Sequence, residues 1–166
     1  MGAISDRMDG DLRLRGLSEV TRAEYRRCAC QFVAHYMLRL DRSEAYLREI
    51  LGAITARYGS QVTWNALRSQ LSIDHPKTIA DYCGLLVRMD VLAVVPALQE
   101  HSLSASPKKA RKLHFTDPFI HHAVRMWLKQ ETRPLAPADV IDDPVRFAAD
   151  VEASLVTHLA RGYPTA

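Results

Sequence analysis

The chain has 166 residues, 48% hydrophobic and 25% charged, with 22 Lys and Arg against 19 Asp and Glu. That length suits one domain, or a domain with a small extension, and the composition excludes wholesale disorder. No run nears the ~18 apolar residues of a membrane span, and no basic-then-apolar leader opens the chain, so a cytoplasmic protein without a membrane partner is expected.

Residues 1–11 read as a polar leader. From Thr21 the pattern turns helical: Tyr25, Ala29, Phe32, Val33, Tyr36, Met37 and Leu40 fall on one stripe, and Thr21-Arg-Ala-Glu24 has capping-box form. A second helix follows Asp41-Arg-Ser-Glu44, with Leu47, Ile50, Leu51 and Ile54 inward and Gly59 at its stop. Thr63 caps a short helix with Trp64, Leu67 and Leu71 on its core side. The link Ser72-Ile-Asp-His75 follows, with Ile73 plugging the angle between helices. Pro76 then suits the first turn of a further helix, where its missing N–H has no partner to lose. That helix carries Ile79, Tyr82, Cys83 and Leu86 and ends near Asp90. Two short helices on a tight connection make a helix-turn-helix.

The period then changes. Val91-Leu-Ala-Val-Val95 is an apolar run of strand length closed by Pro96. In Arg111-Lys-Leu-His-Phe115, Arg111, Leu113 and Phe115 point one way, Lys112 and His114 the other. Two strands after a helix-turn-helix predict a winged helix, with residues 97–110 as the wing tip. Asp117-Pro118 opens a helix carrying Phe119, Ile120, Ala123, Val124 and Trp127. A linker runs from Glu131 to Asp143, and Phe147, Val151, Leu155 and Leu159 make a last amphipathic helix stopped at Gly162.

Catalytic patterns are missing from this order. The glycines fit neither G-x-x-x-x-G-K-[ST] nor G-x-G-x-x-G, so backbone N–H groups cannot converge on a polyphosphate, and no ATP binding by this chain is expected. Three cysteines, two of them as Cys28-x-Cys30, make neither a disulfide framework nor a metal site. His114, His121 and His122 lack the convergent ligands of a zinc site and read as helix-surface or partly buried side chains. Neither a cofactor, a metal nor an enzymatic activity is expected.

Charge points elsewhere. Residues 106–130 hold 6 basic residues and a single acidic one, while residues 131–166 hold 3 and 6. Phosphate contacts supply most nucleic-acid affinity, so basic residues on the second helix and the wing are the test. The helix offers Lys77 and Arg88 beside Asp81 and Asp90; the wing offers Lys108, Lys109, Arg111 and Lys112. These six residues are the candidate contacts to the backbone of double-stranded DNA, without sequence readout. The 144–160 helix is the candidate surface for a partner protein or a second copy.

Four stretches carry a resemblance: Ser43-Glu-Ala-Tyr-Leu-Arg-Glu-Ile-Leu51, Tyr58-Gly-Ser-Gln-Val-Thr-Trp-Asn65, His75-Pro-Lys-Thr-Ile-Ala-Asp-Tyr82 and Pro107-Lys-Lys-Ala-Arg-Lys-Leu-His-Phe-Thr-Asp-Pro-Phe119. In their order and spacing, residues 42–161 resemble the C-terminal region of unknown function in bacterial and archaeal AAA-type ATPases. The resemblance implies a winged helix followed by the opening helix of a nuclease-like fold, here Val151-Glu-Ala-Ser-Leu-Val-Thr-His-Leu159. The ATPase domain itself is absent from the sequence, and Glu152 alone matches a position of the nuclease-like site. Separately, Leu12-Arg-Leu-Arg-Gly-Leu-Ser18 with Thr21, Tyr25 and Phe32 is similar to the start of the core-binding domain of tyrosine recombinases, and His122-Ala-Val-Arg125 matches their His-x-x-Arg element.

The expected architecture is mainly α: a winged helix-turn-helix with a short two-stranded wing, flanked by N-terminal helices and a C-terminal helix. Its parts are an N-terminal helical extension (1–41), a winged-helix domain (42–130), a linker (131–143) and a C-terminal helix (144–166). The expected function is that of a non-catalytic module binding DNA backbone or a partner protein. The alternatives are an oligomerisation module with no nucleic-acid role and a fragment of a tyrosine recombinase.

Overall fold

The computed structural model describes residues 42–102, 104–106, 109–129 and 143–162. The expected helix over 21–40, the Cys28-x-Cys30 pair, most of the 131–143 linker, Lys108 and the recombinase-like stretch from Leu12 to Phe32 lie outside them, whereas His122-Ala-Val-Arg125 lies within them. The described residues form five helices and three strands: α1 (Glu44–Ala56), β1 (Gln61–Val62), α2 (Trp64–Arg68), α3 (Pro76–Arg88), β2 (Leu92–Pro96), β3 (Arg111–Phe115), α4 (Pro118–Lys129) and α5 (Pro144–Gly162). The protein is mainly helical with a small antiparallel sheet.

Local chemistry sets the boundaries. Ser43 caps α1, its side chain accepting from the Tyr46 N–H at 3.4 Å. Gly59, at φ 79°, turns the chain after α1 in a left-handed conformation that costs glycine little. The same glycine lets another element approach, because a Cβ there would sit 3.1 Å from the Ala149 Cβ of α5. Thr63 caps α2 by accepting from the Ala66 N–H at 3.1 Å, and Pro76 begins α3 as expected. Asp90, at φ 55°, reverses the chain between α3 and β2.

The sheet has one strand more than the sequence suggests. β3 lies in the middle, pairing antiparallel with β2 from Leu92↔Phe115 to Pro96↔Arg111 and with β1 through Gln61↔Lys112 and Val62↔Arg111. β1 is two residues long, too short to show an alternation in sequence. Between β2 and β3 the chain continues as a narrow hairpin, bridged at Leu98↔Ala105 and by the Ser106 N–H donating to the Ala97 carbonyl at 2.8 Å.

Every apolar position assigned inward on α1 is buried (Leu47, Ile50, Leu51, Ile54), as are Ile79, Tyr82, Cys83 and Leu86 on α3 and the plug residue Ile73. They pack with Leu67, Leu92, Leu113, Phe115 and Val124 in one continuous core. Two polar ties draw α1 onto its neighbours. Glu49 accepts from the Ser72 N–H at 2.7 Å and hydroxyl at 2.6 Å, which together hold its carboxyl below the usual range. Arg48 lies 4.4 Å over the Trp127 ring and donates to the Trp127 carbonyl at 3.2 Å, where the last carbonyls of α4 need donors.

α4 departs from expectation. Its buried side chains are His121, Ala123, Val124, Arg125 and Met126, while Phe119, Ile120 and Trp127 are only partly covered. The cause is that α4 is enclosed on two sides, by α1 and the core and by α5, so the apolar stripe alone does not define its buried face. Phe115, fully buried where the sheet meets α4, tests the core most directly. Phe115→Ala should cost about 3–5 kcal/mol of unfolding free energy, the range for a truncated buried aromatic, read from denaturant melts.

Candidate functional site

α5 packs on α4 and reaches β3 through Lys112. The Lys112 Nζ meets Glu152 Oε1 at 2.6 Å, and farther along the helix Arg161 reaches Asp90 Oδ2 at 3.0 Å. The inward residues of α5 are Ala149, Asp150, Ala153 and Thr157, none of them a large apolar side chain. Small residues permit close approach, which is how Ala149 sits against Gly59.

At the centre of this contact is a buried polar cluster. The His121 Nδ1 lies 2.8 Å from Asp150 Oδ1, with side chains 1% and 7% exposed. The carboxylate is an acceptor, so Nδ1 carries the hydrogen and the tautomer follows. His122 Nε2 is 3.8 Å from the other Asp150 oxygen. The His121 ring stacks on Phe115 at 5.1 Å and an 11° tilt, and Tyr58 closes over it at 4.1 Å. Burial, and after it the negative charge of Asp150, pushes the Tyr58 phenol well above its ordinary pKa, so it stays protonated. His114, fully buried, has no hydrogen-bond partner at either ring nitrogen, and burial lowers its pKa, which keeps it neutral.

A carboxylate-oriented imidazole is half of a general-base arrangement. His121 borders a cavity of about 170 Å³ with Thr55, Tyr58, Arg125, Asp143 and Arg146. Its volume is below the usual range of ligand pockets, ~300 Å³ and up, and Asp143 lies 3.5 Å from the Arg146 guanidinium. Cys83 is no nucleophile: burial pushes its thiol up to about 12. No group of three or more His, Cys, Asp or Glu among the described residues could hold a metal ion.

The six residues expected to meet phosphates are not equivalent. Lys77 and Arg88 are exposed near opposite ends of α3, and Lys109 is exposed on the hairpin. Arg111 is half-buried, its guanidinium 4.3 Å over the Trp64 ring and donating to the Lys109 carbonyl at 2.9 Å. Lys112 is held by Glu152. The outward face of α5 is the reverse of its inward one. Val145 is 79% exposed, Phe147 47%, Val151 50%, Leu155 57% and Leu159 47%. The stripe seen in the sequence is real and faces solvent.

Sequence reasoning missed Tyr58, His121 and Asp150 as partners. The available signal was the row Ala149, Ala153, Thr157 at four-residue spacing, which marks a close helix contact beside the more conspicuous Leu and Phe row.

His114 makes the cluster sensitive to acid in a definite direction. Its folded pKa lies below the unfolded value of about 6.5, so the unfolded chain binds the extra proton. That contribution to stability is fully present above about 6.5 and falls as pH drops towards the folded pKa, by at most about 1.4 kcal/mol per pH unit. His114→Phe should keep or raise stability at neutral pH and flatten its fall between about pH 6.5 and 5, checked by denaturant melts across that window. An unchanged slope would rule out His114 as its source.

No helix among the described residues is long and apolar enough to cross a membrane. Neither a curated protein nor a solved structure matches the chain. One family model, described as a domain of unknown function (DUF8612), matches residues 35–131, which takes in α1 to α4 and the sheet and leaves α5 outside. Nothing in these comparisons links the chain to AAA-type ATPases or to tyrosine recombinases. With more than half of its residues matched, the protein belongs to the DUF8612 family.

Proposed function

We propose that the chain is a non-catalytic interaction module: a winged helix over α1–β1–α2–α3–β2–β3 that carries α5 as a docking helix for another polypeptide. The observation behind this is the outward side of α5, where five large apolar side chains are each about half or more exposed. Solvent-exposed apolar surface of this extent marks interaction sites. The inward contacts of α5 support the same reading, because ion pairs, small residues and one buried His–Asp pair hold the helix without using its apolar side.

A photo-crosslinking amino acid at position 151, introduced in the living cell, should give discrete protein adducts. The same group at position 81, on exposed α3, should not. Equal labelling at both positions, or none at 151, would remove the reading.

A second reading, contact with DNA backbone, is favoured by one observation: Lys77, Arg88 and Lys109 are all exposed. Three neutralised phosphates at ~0.9 each give a slope of log K against log salt of about −2.7, shallower than the four clustered wing residues would give. Binding to a random duplex, followed by fluorescence anisotropy over a salt series, checks it. A slope near zero, or one unchanged in Lys77→Ala/Arg88→Ala/Lys109→Ala, would exclude it.

A further inference from the structure

From the outward face of α5 we infer that its occupant is a second copy of this chain, and that two α5 helices cross in an isologous pair centred between Val151 and Leu155. This rests on the reading of α5 as a docking helix and names the partner.

The spacing comes first. Phe147, Val151, Leu155 and Leu159 are four residues apart throughout, so they form a single ridge along the i±4 direction of the helix. Such ridges run oblique to the helix axis, and two of them interdigitate at a crossing angle of about −50°. A ridge that fits the groove beside an identical ridge is self-complementary, which is the requirement of a two-fold interface.

Charge is the second argument. The exposed positions flanking the ridge between Phe147 and Leu159 are Ala148, Ser154 and His158, the histidine lying about one turn from the crossing point, and both acidic side chains of α5 are engaged elsewhere, Asp150 with His121 and Glu152 with Lys112. Two copies therefore meet at the crossing point without bringing like charges together. A strongly basic or acidic partner would find no complement there.

Area is the third. From their exposures, the four ridge side chains present on the order of 400 Å² per copy, so with the exposed Ala148, Ser154 and His158 beside them a pair buries about 1,000 Å², the lower bound for a specific interface. The pair is therefore a modest dimer with a dissociation constant within reach of dilution. Its helix lies outside the residues matched by the family model, so pairing is an addition to the family domain and leaves α1 to α4 unaltered.

The test uses the full chain and two charge variants, Val151→Lys/Leu155→Lys and Val151→Glu/Leu155→Glu. Both positions are exposed, so far-ultraviolet circular dichroism spectra should match the wild type. In light scattering over a dilution series, the wild type should run at twice the 18.7 kDa chain mass and each variant at the chain mass. An equimolar mixture of the two variants should regain the double mass at low salt and lose it at high salt, since opposite charges then face each other across the two-fold axis. A monomeric wild type, a dimer that survives the charges, or a mixture that stays monomeric would each overturn self-pairing. Position-151 crosslinks to a different polypeptide, alongside a monomeric wild type, would overturn it while the docking reading stands. The absence of any position-151 crosslink would bring down both.

Discussion

The hydrogen bond between His121 and Asp150 joins the two parts of this molecule. It brings a carboxylate on α5 and an imidazole on α4 together in a buried site, and the ring is clasped by Phe115 and Tyr58. A carboxylate buried without a donor would be costly, so α5 has one register in which Asp150 is satisfied. In that register Glu152 meets Lys112, Arg161 meets Asp90, and the small side chain of Ala149 comes to rest on Gly59. The orientation of α5, including which side faces solvent, follows from this joint.

This arrangement inverts the usual logic of an amphipathic helix. A helix normally turns its large apolar residues towards the core and its charges outward. α5 buries Ala, Asp and Thr and exposes Phe, Val and Leu. Closely packed small residues and one buried pair of polar groups hold it down, and the two ion pairs, each about a third or more exposed, add little. The outward ridge is thereby left available, and the mainly helical domain beneath it is complete without the ridge, with a continuous core from α1 through β3 to α4.

The same joint redistributes the basic segment of the sequence. As a string, the wing holds a cluster of cations that looks like a footprint for phosphate. Folded, Lys112 is paired with a carboxylate forty residues away and the Arg111 guanidinium sits over the Trp64 ring. Lys77, Arg88 and Lys109 keep their exposure, two on a helix and one on a hairpin. Local charge density counts residues, whereas the field at the surface depends on which of them tertiary contacts have already matched.

Much of the fold was legible from neighbours in sequence. Thr63 capping α2, Pro76 at the start of α3, the left-handed Gly59, and the inward positions of α1 and α3 each depend on interactions within a turn or two of the chain, where spacing and side-chain chemistry decide the outcome. β1 was illegible because two residues carry no period, and the buried face of α4 because two separate elements press on it. The exposed ridge of α5 was legible as a ridge but not as exposed. What the sequence alone determined is therefore the five described helices, the β2–β3 pair and the apolar stripes, since these rest on short-range periodicity and capping. Which stripe was buried, which cations stayed open and where His121 would find its carboxylate were decided only by the tertiary structure, because each depends on a partner many residues away competing for the same side chain.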